Sequence, residues 1–393
     1  MDIVKDGRVN FSTINELSKV PCLTKEIIRF EKDNIYSDDI SKRDSFKNSS
    51  GGSTGEPITI MQDSQYAMSN KVSTHLAFSW RGYEPYDDKI VIWGAERDTF
   101  EGKKPLKNIL KDFYHNVLVL NSFSMSEKDM RDYIEILNRH QPKLIQAYAQ
   151  SIFEIAKFAK KNNIYVKKQN AIHLGAGTVY AFMRNLIEEV FGCKAYNSYG
   201  SREVGPIASE CSKQNGLHIM MEHTVVEVLN KKGEPCKYGE QGEIVVTTLN
   251  NYSMPLIRYK IGDIGILEEY TECKCGCSYP KLEKVVGRTT DIFKTVSGSV
   301  VVPEYFIHLI GVVNNRGSIK LFQVVQEALD RVVVKIVKDG EIKEEELSDI
   351  KEKIRLVMGK ECEVVFEFVS EIAKTKTGKF LYTVSKVCLL YTS

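Results

Sequence analysis

The chain has 393 residues, of which 42% are hydrophobic and 27% charged, and its formal net charge is +2. These are ordinary globular proportions, which exclude fibrous and disordered classes, and the length suits one large domain with a smaller companion. The 54 Lys and Arg are spread along the chain with no dense basic block followed by aromatics, which sets nucleic acid aside as a partner.

Met1 to Val9 alternates charged and apolar residues and lacks the basic-then-apolar layout of a signal peptide. No later apolar run approaches the roughly 18–20 residues that span a bilayer. "STINEL" sets Thr13 three residues before Glu16, the pairing that caps a helix start. "NSSGGSTGEPITI" (48–60) follows. Gly51, Gly52 and Gly55 can take positive φ and turn their amides into one concavity, and Ser49, Ser50, Ser53 and Thr54 add hydroxyls. Such a loop suits a polyphosphate; on composition it equally suits a flexible linker. It is not a Walker loop, because no Lys follows Gly55 and Pro57 leads into a strand-like "ITIM" instead of a helix.

From about residue 85 strands and helices alternate. "KIVIWG" (89–94) reads as a strand. "SEKDMRDYIEILNRH" (126–140) reads as a helix capped by Ser126 and Asp129, with Met130, Tyr133, Ile134 and Leu137 on one face. Pro142 stops it, "KLIQAY" is the next strand, and "SIFEIAKFAKK" repeats the helical spacing at Ile152, Ile155, Ala156 and Ala159. This order predicts an α/β domain, in which ligands sit beyond the carboxyl ends of strands. Gly175, Ala176 and Gly177, after the strand-like "AIHL", would let backbone approach a nucleotide or form a plain turn.

After residue 220, alternating Val and Ile broken by Gly-rich turns predict β-hairpins. The last hundred residues supply two β-runs, a helix at about 344–358 and another strand, with a further helix from about 303: a compact βαββαβ-like lobe. "KVVGRTTD" (284–291) is the boundary, dividing the chain into 1–286, an α/β domain with β-rich parts, and 287–393, a small α+β domain.

Five motifs stand in fixed order: S-S-G-G-S-T-G-x-P, "YGSREVG" (199–205), "MPLIRYKIGDIG" (254–265), "GRTTD" (287–291) and "KTGKF" (376–380). The set resembles the adenylate-forming superfamily, most closely the phenylacetate–CoA ligase family. "GGSTGEP" together with "LSKVPCLTKEII" is similar to the capsule-biosynthesis (CapK-type) branch. The resemblance runs from about residue 11 to residue 386. It implies a large adenylate-forming domain with a mobile C-terminal lid. The implied reaction joins a carboxylic acid to ATP as an acyl adenylate, releases pyrophosphate, and passes the acyl group to CoA. Two alternatives stay open: transfer to a non-CoA acceptor in capsular polysaccharide assembly, and a nucleotide-binding scaffold without turnover.

The resemblance also implies roles. Ser49 to Gly55 would hold the β- and γ-phosphates with Mg²⁺, and Glu203 is the carboxylate near that ion. Tyr199, followed by Gly200 and Ser201, matches the aromatic that packs on adenine. Asp263 matches the acid on the ribose hydroxyls, since one carboxylate accepts two hydrogen bonds; flanking Gly262 and Gly265 equally fit a hairpin turn. Arg258 is a nucleotide contact or a structural ion pair. Arg288 matches a ribose-contacting arginine at the domain junction, and Thr290 stands where the family hinge commonly has Asp or Lys. Lys379 matches the C-terminal lysine that reaches the adenylation site. The acid is not legible: Tyr148 and residues 173–177 offer a wall without charge. The oligomeric state is equally illegible, although family members often pair, which leaves a homodimer open.

Nine unevenly spaced cysteines predict reduced thiols in a cytoplasmic protein and not a disulfide framework. Cys211, His218, Cys273 and Cys275 could form a tetrahedral zinc set, or be plain thiols, with Cys277 a competing ligand. The spacing is similar to the structural zinc site of phenylacetate–CoA ligase relatives, and four protein ligands leave no open catalytic position. His75, His115, His140, His173, His223 and His308 have no nucleophile or acid at recognisable spacing, and no Gly-x-Ser-x-Gly elbow supports a hydrolase.

Overall fold

The computed structural model describes residues 4–5, 8–9, 13–49, 58–93, 116–122, 125, 127–175, 177, 179–288, 293–297, 300–301, 306, 309–310, 318–373 and 381–387. They fall into two compact units, one of residues 1–177 and 187–285, the other of residues 178–186 and 286–393. Strands of three residues or more are numbered below in chain order.

The first unit opens with a 3-10 helix, Ile14–Lys19, where Glu16 accepts the Thr13 N–H at 3.3 Å. The predicted pairing is present, but six residues ahead of Pro21 are too few to settle into α geometry. Helix α1 (Lys25–Glu31) is capped by Thr24, whose hydroxyl accepts from Ile27 N–H at 3.3 Å. An antiparallel hairpin follows, β1 (Ser45–Ser49) with β2 (Thr59–Asp63), its last pair being Ser49 and Thr59. Asp63 ends β2 and caps α2 (Ser64–Ser79) by accepting from Tyr66 N–H at 2.8 Å. Its other oxygen takes the Tyr252 and Ser253 amides, both at 3.0 Å, so one buried carboxylate fixes hairpin, helix and a distant loop.

An 11-stranded sheet forms the frame. Its parallel half is β3 (Lys89–Trp93), β4 (Val117–Asn121), β5 (Leu144–Tyr148), β6 (Ala171–Gly175) and β7 (Lys194–Ser201). Helices α3 (Glu127–His140), α4 (Ala149–Lys161) and α5 (Ala181–Phe191) alternate with these strands. Every residue of β6 is buried, as a parallel strand covered on both faces requires. Ile134 and Leu137 of α3, and Ile152, Ile155, Ala156 and Ala159 of α4, are buried as the helical period predicts.

The antiparallel half is β8 (Gly205–Ser209), β9 (Leu217–Ile219), β10 (Thr224–Leu229), β11 (Gln241–Thr248), β12 (Tyr259–Leu267) and β13 (Lys281–Arg288). The sheet order is β10-β11-β12-β13-β9-β8-β7-β6-β5-β3-β4. Ile58, Ile60 and Met61 of the hairpin pack into one core with Val228, Ile244, Val246, Tyr259 and Leu282, which seats β2 against the antiparallel half. Buried Arg81, just past α2, donates to Ser209 Oγ at 2.6 Å and Glu210 O at 3.1 Å, tying that helix to the end of β8.

The second unit holds a four-stranded sheet ordered β16-β15-β14-β17, from β14 (Ile319–Ala328), β15 (Arg331–Lys338), β16 (Glu363–Phe368) and β17 (Thr383–Ser385). Helix α6 (Glu344–Met358) buries Ile350, Ile354 and Met358 in a core with Val324, Val332, Val334 and Ile336. The helix predicted from about residue 303 lies largely outside the described residues. Among the described residues no helix is long and apolar enough to cross a membrane.

Candidate functional site

The Gly-rich stretch falls in sequence between β1 and β2. Ser50, Gly51, Gly52, Ser53, Thr54 and Gly55 lie outside the described residues, as does the side chain of Ser49, but the stem that holds them is defined. Ser45 Oγ lies 2.6 Å from Ser253 Oγ, and Asn48 Nδ2 donates to Gln62 Oε1 at 3.0 Å.

Residues 202–204 link β7 to β8 and carry Glu203. Gly200 and Ser201 end β7, Gly200 paired with Pro206. The Ser201 hydroxyl accepts from Glu203 N–H at 3.2 Å and Val204 N–H at 3.4 Å, which closes the turn. Glu203 is 6% exposed, and among the described residues its carboxylate receives no hydrogen bond. A buried carboxylate without donors is costly, and a hard cation satisfies it. The group therefore fits a Mg²⁺ ligand.

Tyr199 and Asp263, 64 positions apart, meet directly: the phenol donates to Asp263 Oδ2 at 2.7 Å. Asp263 is not in a hairpin turn. It lies within the nine residues of β12, where pairing with β11 slips between Glu243 and Val245. Glu243 pairs with Ile264 and Val245 with Lys260, so β12 carries two extra residues in a bulge around Gly262, whose φ is +86°. The bulge re-aims Asp263 within an otherwise regular strand. Arg258 takes the ion-pair reading: buried, it donates to both Glu227 oxygens at 3.0 Å and to Val20 O at 2.6 Å.

Trp93 and Tyr148 end β3 and β5 with ring centroids 3.8 Å apart. Gly175 ends the neighbouring β6, and a Cβ there would stand 3.3 Å from the Trp93 ring. Gly177 is exposed, and Ala176 lies outside the described residues. The carboxyl ends of three parallel strands thus present an aromatic pair over bare backbone. Sequence reasoning did not single out Trp93; its place at the end of an apolar run was the available signal. Arg288 ends β13 with its side chain outside the described residues, and Thr290 and Lys379 fall outside them entirely.

The four predicted metal ligands converge. The donor atoms of Cys211, His218, Cys273 and Cys275 all lie within 4.8 Å of one another. Cys211 Sγ is 3.8 Å from Cys273 Sγ, and Cys275 Sγ is 3.5 Å from His218 Nε2. A tetrahedral zinc ion with Zn–S of about 2.3 Å and Zn–N of about 2.0 Å sets those separations at roughly 3.8 Å and 3.5 Å. His218 Nδ1 bonds to the Tyr279 carbonyl at 3.0 Å, which fixes the tautomer and leaves the Nε2 lone pair facing the thiols. Burial raises Cys273, but the Cys275 amide and hydrogen bonding shared with Cys275, His218 and Cys211 outweigh it and bring the thiol to about 7. Burial, with Cys273 and Cys211 beside it, pushes Cys275 up to about 11. Metal binding to such a set displaces protons.

The fold is that of the adenylate-forming CoA ligases. The 2-hydroxyisobutyryl-CoA ligase in its postadenylation state superposes with a TM-score of 0.70 at 16% identity, over 95% of this chain and 82% of that one. O-succinylbenzoate coenzyme A synthetase from Bacillus subtilis, solved with ATP and magnesium, gives 0.60 at 16% identity, over 86% and 68%. By sequence the chain is a homologue of CapK and the phenylacetate–CoA ligases. Protein CapK of Staphylococcus aureus is 28% identical over 95% of this chain and 81% of its own length. The phenylacetate-coenzyme A ligase of Thermus thermophilus is 32% identical over 40% of this chain and 37% of its own. That of Escherichia coli is 26% identical over 72% and 64%. Residues 293–386 match the CapK C-terminal domain.

Proposed function

We propose that this chain is an ATP-dependent, AMP-forming acid–thiol ligase, with an adenylating domain of residues 1–286 and a lid of residues 287–393. The observation that carries the reading is the 2.7 Å bond joining Tyr199 to Asp263, with the buried Glu203 carboxylate, which receives no hydrogen bond among the described residues, on the turn that follows β7. Two remote motifs with the residue types for base, ribose and metal share one unit of the fold.

In this reading a substrate carboxylate oxygen attacks the α-phosphorus of ATP as the bond to pyrophosphate breaks. Tyr199 packs on adenine, and Asp263, oriented by the Tyr199 hydroxyl, accepts from the ribose hydroxyls. Ser49 to Gly55 donate to the β- and γ-phosphates, Gly175 to Gly177 give the nucleotide room, and Arg288 meets the ribose. Glu203 would hold Mg²⁺, which supplies charge neutralisation on the phosphates when bound. Lys379 balances charge between carboxylate and α-phosphate. The CoA thiol then attacks the acyl carbon and AMP leaves. Trp93 and Tyr148 line the acid side. Cys211, His218, Cys273 and Cys275 hold a structural zinc, and the protein works in the cytoplasm, as a homodimer.

Pyrophosphate release across aryl, fatty and hydroxy acids tests the reading. At least one acid gives release that Lys379→Ala abolishes while ATP still binds. Saturable ATP binding without release for any acid favours the scaffold alternative, and preformed adenylate left intact by CoA favours another acceptor. After a chelator wash, zinc below about half an equivalent rejects the metal site.

A further inference from the structure

The turn that carries Glu203 is held from outside by two side chains. Gln62 Nε2 donates to Arg202 O at 2.9 Å and reaches Glu203 O at 3.4 Å, while His223 Nε2 bonds to Val204 O at 3.0 Å. All three carbonyls of the turn are therefore gripped by residues of other elements. Gln62 is 2% exposed, and its oxygen accepts from Asn48 across the β1–β2 stem, so one amide joins the base of the Gly-rich loop to the turn.

His223 is fully buried. A carbonyl can only accept, so Nε2 carries the proton, and Nδ1 accepts from the Ser69 hydroxyl at 2.8 Å. Ser69 Oγ in turn accepts from Asn250 Nδ2 at 2.8 Å. Gly205, at φ +72°, begins β8 beneath this ring; a Cβ there would stand 2.7 Å from His223 Nε2 and 3.0 Å from the Tyr66 hydroxyl. The imidazole packs on the turn with no slack.

We propose that Gln62 and His223 are positioning residues that clamp residues 202–204 and thereby set the divalent-metal affinity of Glu203, an inference that rests on the nucleotide reading above. Carboxylate ligation of Mg²⁺ demands near-ideal geometry at about 2.0–2.1 Å, which an unsupported turn does not hold.

The test measures Mn²⁺ binding to the full-length protein in the presence of ATP by water proton relaxation, which requires no acid substrate and no turnover. Gln62→Met and His223→Ala weaken Mn²⁺ binding about tenfold, in line with loss of a hydrogen bond to a positioned group. His223→Gln, which keeps a donor near Nε2, returns to within about twofold of the wild type. Should His223→Ala fail to fold, Gln62→Met and His223→Gln carry the comparison, with circular dichroism checking each. Gln62→Met and His223→Ala variants that fold and bind Mn²⁺ as the wild type does overturn the clamp alone, as does a His223→Gln variant that falls as far as His223→Ala. A wild type that forms no ATP-dependent Mn²⁺ complex overturns the clamp and the nucleotide reading together.

Discussion

The Tyr199 hydroxyl gives Asp263 its orientation, and the consequence is measurable. Tyr199→Phe keeps the ring and removes the 2.7 Å bond, so the KM for ATP rises about 5–10-fold, the upper part of the range for one net hydrogen bond. Asp263→Ala raises it further, since the proposed acceptor for the ribose goes as well; an unchanged KM in both would remove the ribose role. Two buried imidazoles set a pH response. Burial lowers His173 well below the usual imidazole range, with Arg81 and Lys89 adding to it, and burial also lowers His223. The unfolded chain binds protons at these positions near about pH 6.5 and the folded chain does not until lower pH. Between the folded and unfolded values the unfolded state holds more protons, so stability falls as pH drops below about 6.5. Thermal melts at pH 7.5 and 5.5 show this as a lower Tm at the acid value, and the loss shrinks in His173→Asn. Asp263 was singled out as a candidate because its motif is local. Gln62 was not: in a short strand it reads as an outward polar residue, and its Nε2 finds its acceptor on a turn 140 positions away.

Among the elements, the bulge in β12 does what no local pattern announced. Glycines on both sides of Asp263 read as a hairpin turn, whereas the residue is mid-strand, because a register slip depends on the partner strand and leaves no periodic trace. Gly262 has no heavy atom of the described residues within 4 Å of a built Cβ, so Gly262→Ala costs mainly backbone conformation. The left-handed region costs about 1–2 kcal/mol for such a residue. Gly233, at φ +79° and equally uncrowded, is the control. Both alanine variants lose similar stability in urea melts, but only Gly262→Ala weakens ATP binding; equal binding in the two would make the bulge a plain structural kink. The helices were easier to read. The apolar period over residues 126–140 and 149–161 survives into burial at Ile134, Leu137, Ile152, Ile155, Ala156 and Ala159.

At the scale of the whole molecule, the two units have separate cores, and all four proposed zinc ligands belong to the first. Calorimetry should therefore resolve two transitions, and chelation should lower the one for the first unit while leaving the other in place. A single transition that moves as a whole on chelation would contradict independent folding of the units. Motif order and alternating strands made the fold class readable over most of the chain. The joining of parallel and antiparallel halves into one sheet was not, since it rests on pairings such as that of β9 with β13, over 60 positions apart. That join has an evolutionary corollary. Strand β7 has one neighbour running with it and one against it, and the Glu203 turn leaves from its end. If the proposed roles hold, aromatic tips on one flank can be exchanged for a new acid while the ribose anchor on the other keeps its register, so this frame can change what it activates without changing how.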